Sequence, residues 1–253
     1  LEDDVVADEP VQPPTQRALF GYGTTGSVVS LKNLVNSSGV IAADVTGVGS
    51  AREGLAAASY GGDKAIFAYG KTASLVSLKN LANNAGVIAA DVTGVGTARQ
   101  QLGATTFGLD KAIFGFGITA SLTGVTNLVN NSGTVASDVS AVGTARNHIA
   151  GVGFGSSGQG IFRGGYTGSY VGISNLVSNS GVVASDVTAV GTGRSGSAGC
   201  TFGGDKAIFG FGYDGSAYTG ITNLVSNTGV VAADVSAVGT ARGSLAAAGY
   251  GGD

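Results

Sequence analysis

The chain has 253 residues, of which 43% are hydrophobic and 11% charged, so it is long enough for one or two domains with a substantial core and a surface of Ser, Thr, Asn and Gly. A net charge of −3 leaves no excess of Lys and Arg to neutralise phosphates, which argues against nucleic-acid binding. Cys200 stands alone, so an intrachain disulfide framework and a cysteine-rich zinc site are excluded, and no apolar run approaches the about 18 residues of a membrane span.

Residues 1–16 differ from all that follows. They hold the three prolines of the chain (Pro10, Pro13, Pro14) and five acidic residues (Glu2, Asp3, Asp4, Asp8, Glu9), and they read as an extended linker or leader. The chain opens on Leu1 and contains no Met, as expected of a processed or trimmed chain or of a fragment, and a removed signal peptide is compatible with that.

From Arg17 onward one unit is written five times, over 17–63, 64–110, 111–159, 160–205 and 206–253. Its landmarks recur at steps of 47 or 48 residues: Phe20, Phe67, Phe114, Phe162 and Phe209; Asn33, Asn80, Asn127, Asn175 and Asn223; Asp44, Asp91, Asp138, Asp186 and Asp234; Arg52, Arg99, Arg146, Arg194 and Arg242. Within a unit four short β-like runs are separated by turn residues. Strand a is the LAAAGYG type of segment, with a Gly-Gly-Asp turn after it. Strand b is KAIFGFG, followed by a variable loop; strand c is the TNLV segment, closed by Asn-Thr-Gly or Asn-Ser-Gly; strand d is VVAADVSAV. Dense Gly, abundant Val and Thr, and no 3.6-residue stripe argue against helix.

Alternation along strand b puts Ala112, Phe114 and Phe116 on one face and Lys111, Ile113 and Gly115 on the other. A bulky face opposite a small one suits sheets that stack, aromatics of one filling hollows above the glycines of the next. The array starts at a strand b (17–23) and ends on a strand a (245–251), and the two remnants together complete one unit. The expectation is therefore an all-β, five-bladed β-propeller of four-stranded blades, its ring closed by pairing of the N- and C-terminal strands.

In such a blade the b–c loops and the d–a connections emerge together on one face, and this is where the units differ most. The b–c loops carry Lys71, Ile118, Tyr166 with Tyr170, and Tyr213 with Asp214 and Tyr218; after the repeat arginine come Glu53, Gln100 with Gln101, Asn147 with His148, Ser195, and Gly243 with Ser244. Tyr166, Tyr170, Tyr213 and Tyr218 offer stacking surfaces, with Asp214, Asn147, His148, Gln100, Lys71 and Glu53 as polar partners, which is the chemistry a sugar needs. Enzymatic readings find little support. His148 is the only histidine, the chain has no nucleophile elbow and no phosphate-binding loop, and the strand-d carboxylates are spaced one per unit. The repeat arginines are expected to bond the carbonyls of a neighbouring unit or the strand-d Asp.

The order Arg242, 245–249, Gly251-Gly252, then KAIFGFG, TNLVSNTGVVAADV and TAR resembles a kelch-type repeat over all five units. A double glycine after strand b stands only at Gly164-Gly165, Asn-Leu replaces the family's Tyr-Asp on strand c, and its Trp is missing. The units are also similar to the near-identical propeller repeats of phage tail and virion-associated proteins. The resemblance implies the propeller fold. By analogy it implies a binding or attachment module without cofactor or metal, extracellular or on a virion, recognising a surface glycan or host receptor, with no nucleic acid and no membrane insertion. The alternative expectation is a structural subunit that assembles with itself or with virion proteins through the uniform c–d turns.

Overall fold

The computed structural model describes residues 17–249, and in them the chain is all β, without helix. The leader at 1–16 and the last residues, 250–253, lie outside the described residues. The strands are β1 (Ala18–Thr24) and β2 (Val28–Val35); β3 (Ala56–Tyr60), β4 (Lys64–Ala68) and β5 (Lys79–Ala82); β6 (Gly103–Phe107), β7 (Lys111–Gly115) and β8 (Thr126–Val129); β9 (Ala150–Phe154), β10 (Gln159–Arg163) and β11 (Ser174–Val177); β12 (Ala198–Phe202), β13 (Lys206–Gly210) and β14 (Thr222–Val225). They form one two-stranded and four three-stranded antiparallel sheets, each with its strand-b segment paired to the strand-c segment in the same register: Phe20 faces Asn33, Phe67 faces Asn80, Phe114 faces Asn127, Phe162 faces Asn175 and Phe209 faces Asn223.

Five four-stranded blades in a closed ring are not what forms. The five sheets are separate, with two or three strands each, and none closes or curls. The VVAADV run is not a continuous strand; it touches strand c at two isolated bridges per unit, as at Thr126–Val139 and Val129–Val135. The physical reason is a side chain. Asn127 Nδ2 donates to the Ala136 carbonyl (3.1 Å) and to Asp138 Oδ1 (2.9 Å), satisfying between the bridges a backbone acceptor that a ladder amide would otherwise serve. Ring closure fails as well: β1 pairs with β2 alone among the described residues, and 245–249, expected as the start of the closing strand, has no strand pairing there.

The sheets instead pack in chain order, β3 against β6, β6 against β9 and β9 against β12. Four apolar clusters fill the four gaps. Phe67 and Ile88 meet Leu19 and Tyr22 in the first gap; Tyr60 and Tyr69 meet Phe114 and Leu102 in the second; Ile113 and Phe116 meet Phe162 and Ile149 in the third; Val152 and Ile161 meet Phe209 and Ala207 in the fourth. Phe114, Phe162 and Phe209 are completely buried, each such ring burying roughly 150–250 Å². The glycine hollows are present. A Cβ on Gly115 would stand 3.1 Å from Phe162 Cζ, so a methyl there would push the next sheet away.

Phe116 does not share a face with Phe114. It lies just past β7 with φ +63°, and Tyr22, Tyr69 and Phe211 take the same left-handed conformation in their units. That turn ends the strand alternation and sends Phe116 to the opposite side, where its ring meets Phe162 edge-on at 5.4 Å. The second and third units therefore project one aromatic into the gap before (Phe67, Phe114) and one into the gap after (Tyr69, Phe116), whereas the fourth has Gly164 in the second place.

Candidate functional site

The gaps are laced by polar groups as well as apolar ones. Arg99 is wholly buried, with its guanidinium 4.1 Å from the centre of the Tyr69 ring in the preceding sheet. Its Nε donates to the Phe116 carbonyl (2.9 Å) and Nη2 to Asn127 Oδ1 (2.8 Å), both in the following sheet, while Nη1 donates to Thr97 O (3.0 Å). In return Thr97 donates from its amide and its hydroxyl to Asp138, the latter at 2.6 Å. The same arrangement joins Arg52 to Asn80, Arg146 to Asn175 and Arg194 to Asn223. The arginines thus bond neighbouring carbonyls, as expected, and their strongest side-chain partner is the strand-c Asn of the next unit; Asp91, Asp186 and Asp234 stand 3.9 Å from their arginines. These groups are occupied in holding sheets together.

Variation lies elsewhere, along one edge of the stack. There the residue after each repeat arginine bridges, backbone to backbone, to the b–c loop: Glu53 with Lys71, Gln100 with Ile118, Asn147 with Tyr166, Ser195 with Tyr213. Each b–c loop then folds on itself, pairing Lys71 with Leu75, Ile118 with Leu122, Tyr166 with Tyr170 and Tyr213 with Tyr218. A second backbone thread ties the edge lengthwise. The Gln101 amide donates to Gly54 O, His148 to Gln101 O, Gly196 to His148 O and Ser244 to Gly196 O, one bond per unit. Gln101, His148 and Ser244 hold positive φ to make it.

This geometry brings the four expected tyrosines into one row. Ring centroids lie 5.1 Å apart for Tyr166–Tyr170, 5.4 Å for Tyr170–Tyr213 and 5.4 Å for Tyr213–Tyr218, with planes inclined by 57° to 79°. The outer rings, Tyr166 and Tyr218, are 37% and 59% exposed, and the inner pair is half-buried. Gly215 lets Tyr170 pass, for a Cβ there would come within 2.7 Å of that ring, and the Tyr213 hydroxyl donates to Gly215 O. Desolvation, and then Tyr213 and Tyr166, raise the Tyr170 pKa, so its hydroxyl remains a neutral donor.

The polar partners fare unevenly. Asp214 lies in the Tyr213 loop, where Oδ1 accepts from Ala217 N and from Ser216 N and Oγ; these bonds hold its carboxyl below the usual range. Asn147 is buried, its Nδ2 donating to Gln101 Oε1 (2.9 Å), and its Oδ1 has no partner among the described residues. His148 is exposed beside it. Gln100 sits one sheet earlier against Ile118, and Glu53 and Lys71 a further sheet away, so these three are not part of the tyrosine row. Gln101, one of the variable residues after the repeat arginine but not among the expected binding residues, orients Asn147, and sequence reasoning missed Gly215, which admits Tyr170; the constant spacing of the b–c loop pairs was the available signal.

Among the described residues no group of three or more His, Cys, Asp and Glu side chains is placed to hold a metal ion. No protein-family model matches the sequence, and no curated protein sequence matches it.

Proposed function

We propose that this chain is a non-enzymatic binding module that takes carbohydrate along its tyrosine edge. The observation that carries the reading is the continuous row Tyr166–Tyr170–Tyr213–Tyr218, with two exposed rings at its ends and the Asp214 carboxylate in one of its loops. A pyranose has an apolar face that stacks on an aromatic ring and hydroxyls that need bidentate acceptors, and inclined neighbouring rings offer separate faces to successive sugars. The ligand is a cell-surface glycan, and the setting is a phage tail or an extracellular adhesive structure; that setting rests on the likeness of the repeats described above. Binding to one such row is weak per site, and presentation on many copies supplies avidity.

The test is a broad glycan array probed with the full chain and with Tyr166→Ala/Tyr213→Ala. Specific signals that vanish in the double variant support the reading. An array without signal for the multivalently presented chain, or signals that survive the double substitution, refute it.

A further inference from the structure

The four internal gaps are built from one set of donors and one set of acceptors, and the two ends of the stack expose a spare copy of each. At one end, Arg242 is exposed where its four counterparts are wholly buried. Its guanidinium already lies 3.9 Å from the centre of the Phe211 ring, as Arg99 lies over Tyr69, and Nη1 donates to Thr240 O. The Nε and Nη2 donors, which in the other four reach a carbonyl and an Asn of the next sheet, have no acceptor among the described residues. Gly239 tells the same story: a Cβ on Gly96 would collide with Asp138 and Asn127 of the next sheet, whereas one on Gly239 meets nothing within 4 Å.

At the other end stands what those donors lack. Asn33 directs its Nδ2 to Asp44 Oδ1 (2.8 Å) and Ala42 O (3.1 Å), the orientation of Asn127, leaving its Oδ1 open. Asp44 is exposed, and no hydroxyl or amide from a preceding unit reaches it among the described residues. Phe20 is 48% exposed, whereas Phe114, Phe162 and Phe209 are completely buried against a neighbouring sheet. The backbone is complementary too. The β1–β2 sheet has two strands where the other sheets have three, and the missing position is that of strand a. Residues 245–249 carry a strand-a sequence without strand pairing, lying over β12 so that a Cβ on Gly249 would stand 3.0 Å from Thr201 O.

We propose that copies of this chain dock head to tail, the β12–β14 end of one copy, with Arg242 and residues 245–249, seating on the β1–β2 sheet of the next. The joint repeats the internal gap: Arg242 bonds Asn33 and the Tyr22 carbonyl, Thr240 bonds Asp44, and 245–249 adds to the open edge of β1. The two surfaces are different, so the contact is heterologous and leaves a fresh end after every addition, giving open-ended oligomers.

The test is light scattering of the full chain over a range of concentrations, alongside Arg242→Asp and Asp44→Arg, both at exposed positions. The wild type is expected to grow through successive multiples of the 24.5 kDa protomer. Each variant alone loses one of the two surfaces and stays at 24.5 kDa. Mixed together they associate, through the joint between intact Arg242 and intact Asp44, where neither does alone. A wild type that stays monomeric or halts at a closed dimer overturns the proposal. So does either variant that grows like the wild type, or a mixture that does not associate.

Discussion

Arg99 and Arg242 occupy the same place in the same Thr-Ala-Arg sequence, one inside the stack and one at its end, so replacing each by Ala weighs the buried lattice directly. Arg99→Ala strips the donors from Asn127 Oδ1 and from the Phe116 carbonyl, both in completely buried residues, and removes the cation from the Tyr69 ring. A buried acceptor left without a donor costs about 1–3 kcal/mol, and a desolvated cation–π contact about 2 kcal/mol. The loss is therefore about 4–8 kcal/mol, its lower end in line with breaking a buried charged network. Arg242→Ala gives up one bond to Thr240 O and an exposed contact with Phe211, about 1 kcal/mol.

Thermal unfolding followed by circular dichroism, at dilutions where the chain is monomeric, separates the two. For a chain of this size each kcal/mol moves Tm by about 2–4 °C. Arg99→Ala is expected to lower Tm by at least about 8 °C and Arg242→Ala by no more than about 4 °C. Each sheet contacts only its neighbours, so the Arg99 variant is also expected to melt in two steps, its weakened gap splitting the array. Equal shifts for the two variants would refute the lattice account.

Two further outcomes follow from the same gaps. Burial alone would raise the carboxyls of Asp91, Asp138, Asp186 and Asp234, but bonds from Ser50 or Thr97, Thr144, Thr192 and the strand-c Asn outweigh it and hold each below its ordinary value of 3.8. Their contribution is then fully present above 3.8 and is lost as pH falls through the lower folded values; Tm measured against pH is expected to be level from neutrality to about pH 5 and to drop below that, and a decline already under way near about pH 6 contradicts it. In the fourth unit Arg163 and Gly164 replace the Gly115-Phe116 pattern. Arg163 is buried beside Arg194, its Nε and Nη1 without a partner among the described residues, and burial first, then Arg194, push it down to about 10. A Cβ on Gly164 would stand 2.6 Å from Arg194 O, so Arg163→Gly/Gly164→Phe, although it removes the unpartnered donors, is expected to destabilise the chain by about 1–3 kcal/mol, and a Tm at or above the wild type would refute that.

Much of this architecture is legible from period and polarity. The unit length, the b and c strands, the turns between them and the glycine hollows all come from local signals, and local signals are repeated five times. What escaped was whatever a side chain or one dihedral decides. Val and Ala in VVAADV have the composition of a strand, yet Asn127 and its counterparts take over part of the bonding and leave bridges in place of a ladder. Phe116 reads as the next residue on the Phe114 face until its left-handed backbone turns it around. The tyrosine row was recognisable as a cluster because the b–c loops of successive units lie side by side in any stacking of sheets. Glu53, Lys71 and Gln100 share the edge with the tyrosines but lie in earlier units; sharing an edge is not the same as sharing a place along it.

Ring or row was the least legible choice, and the reason is physical. Whether repeats close depends on the small rotation from each sheet to the next, accumulated over the array, and no single residue encodes that angle. The half-units at the two ends are compatible with either outcome, because a surplus strand a and a missing strand a match whether they belong to one chain or to two. With the sheets in a row, that match faces outward at both ends: Arg242 lies over Phe211, poised as the buried arginines are, and Asn33 is already turned as the buried asparagines are. Both groups are set in place by their own sheet before any partner arrives. For these side chains docking a neighbour orders little that is not already ordered, so they add little conformational entropy to the cost of association.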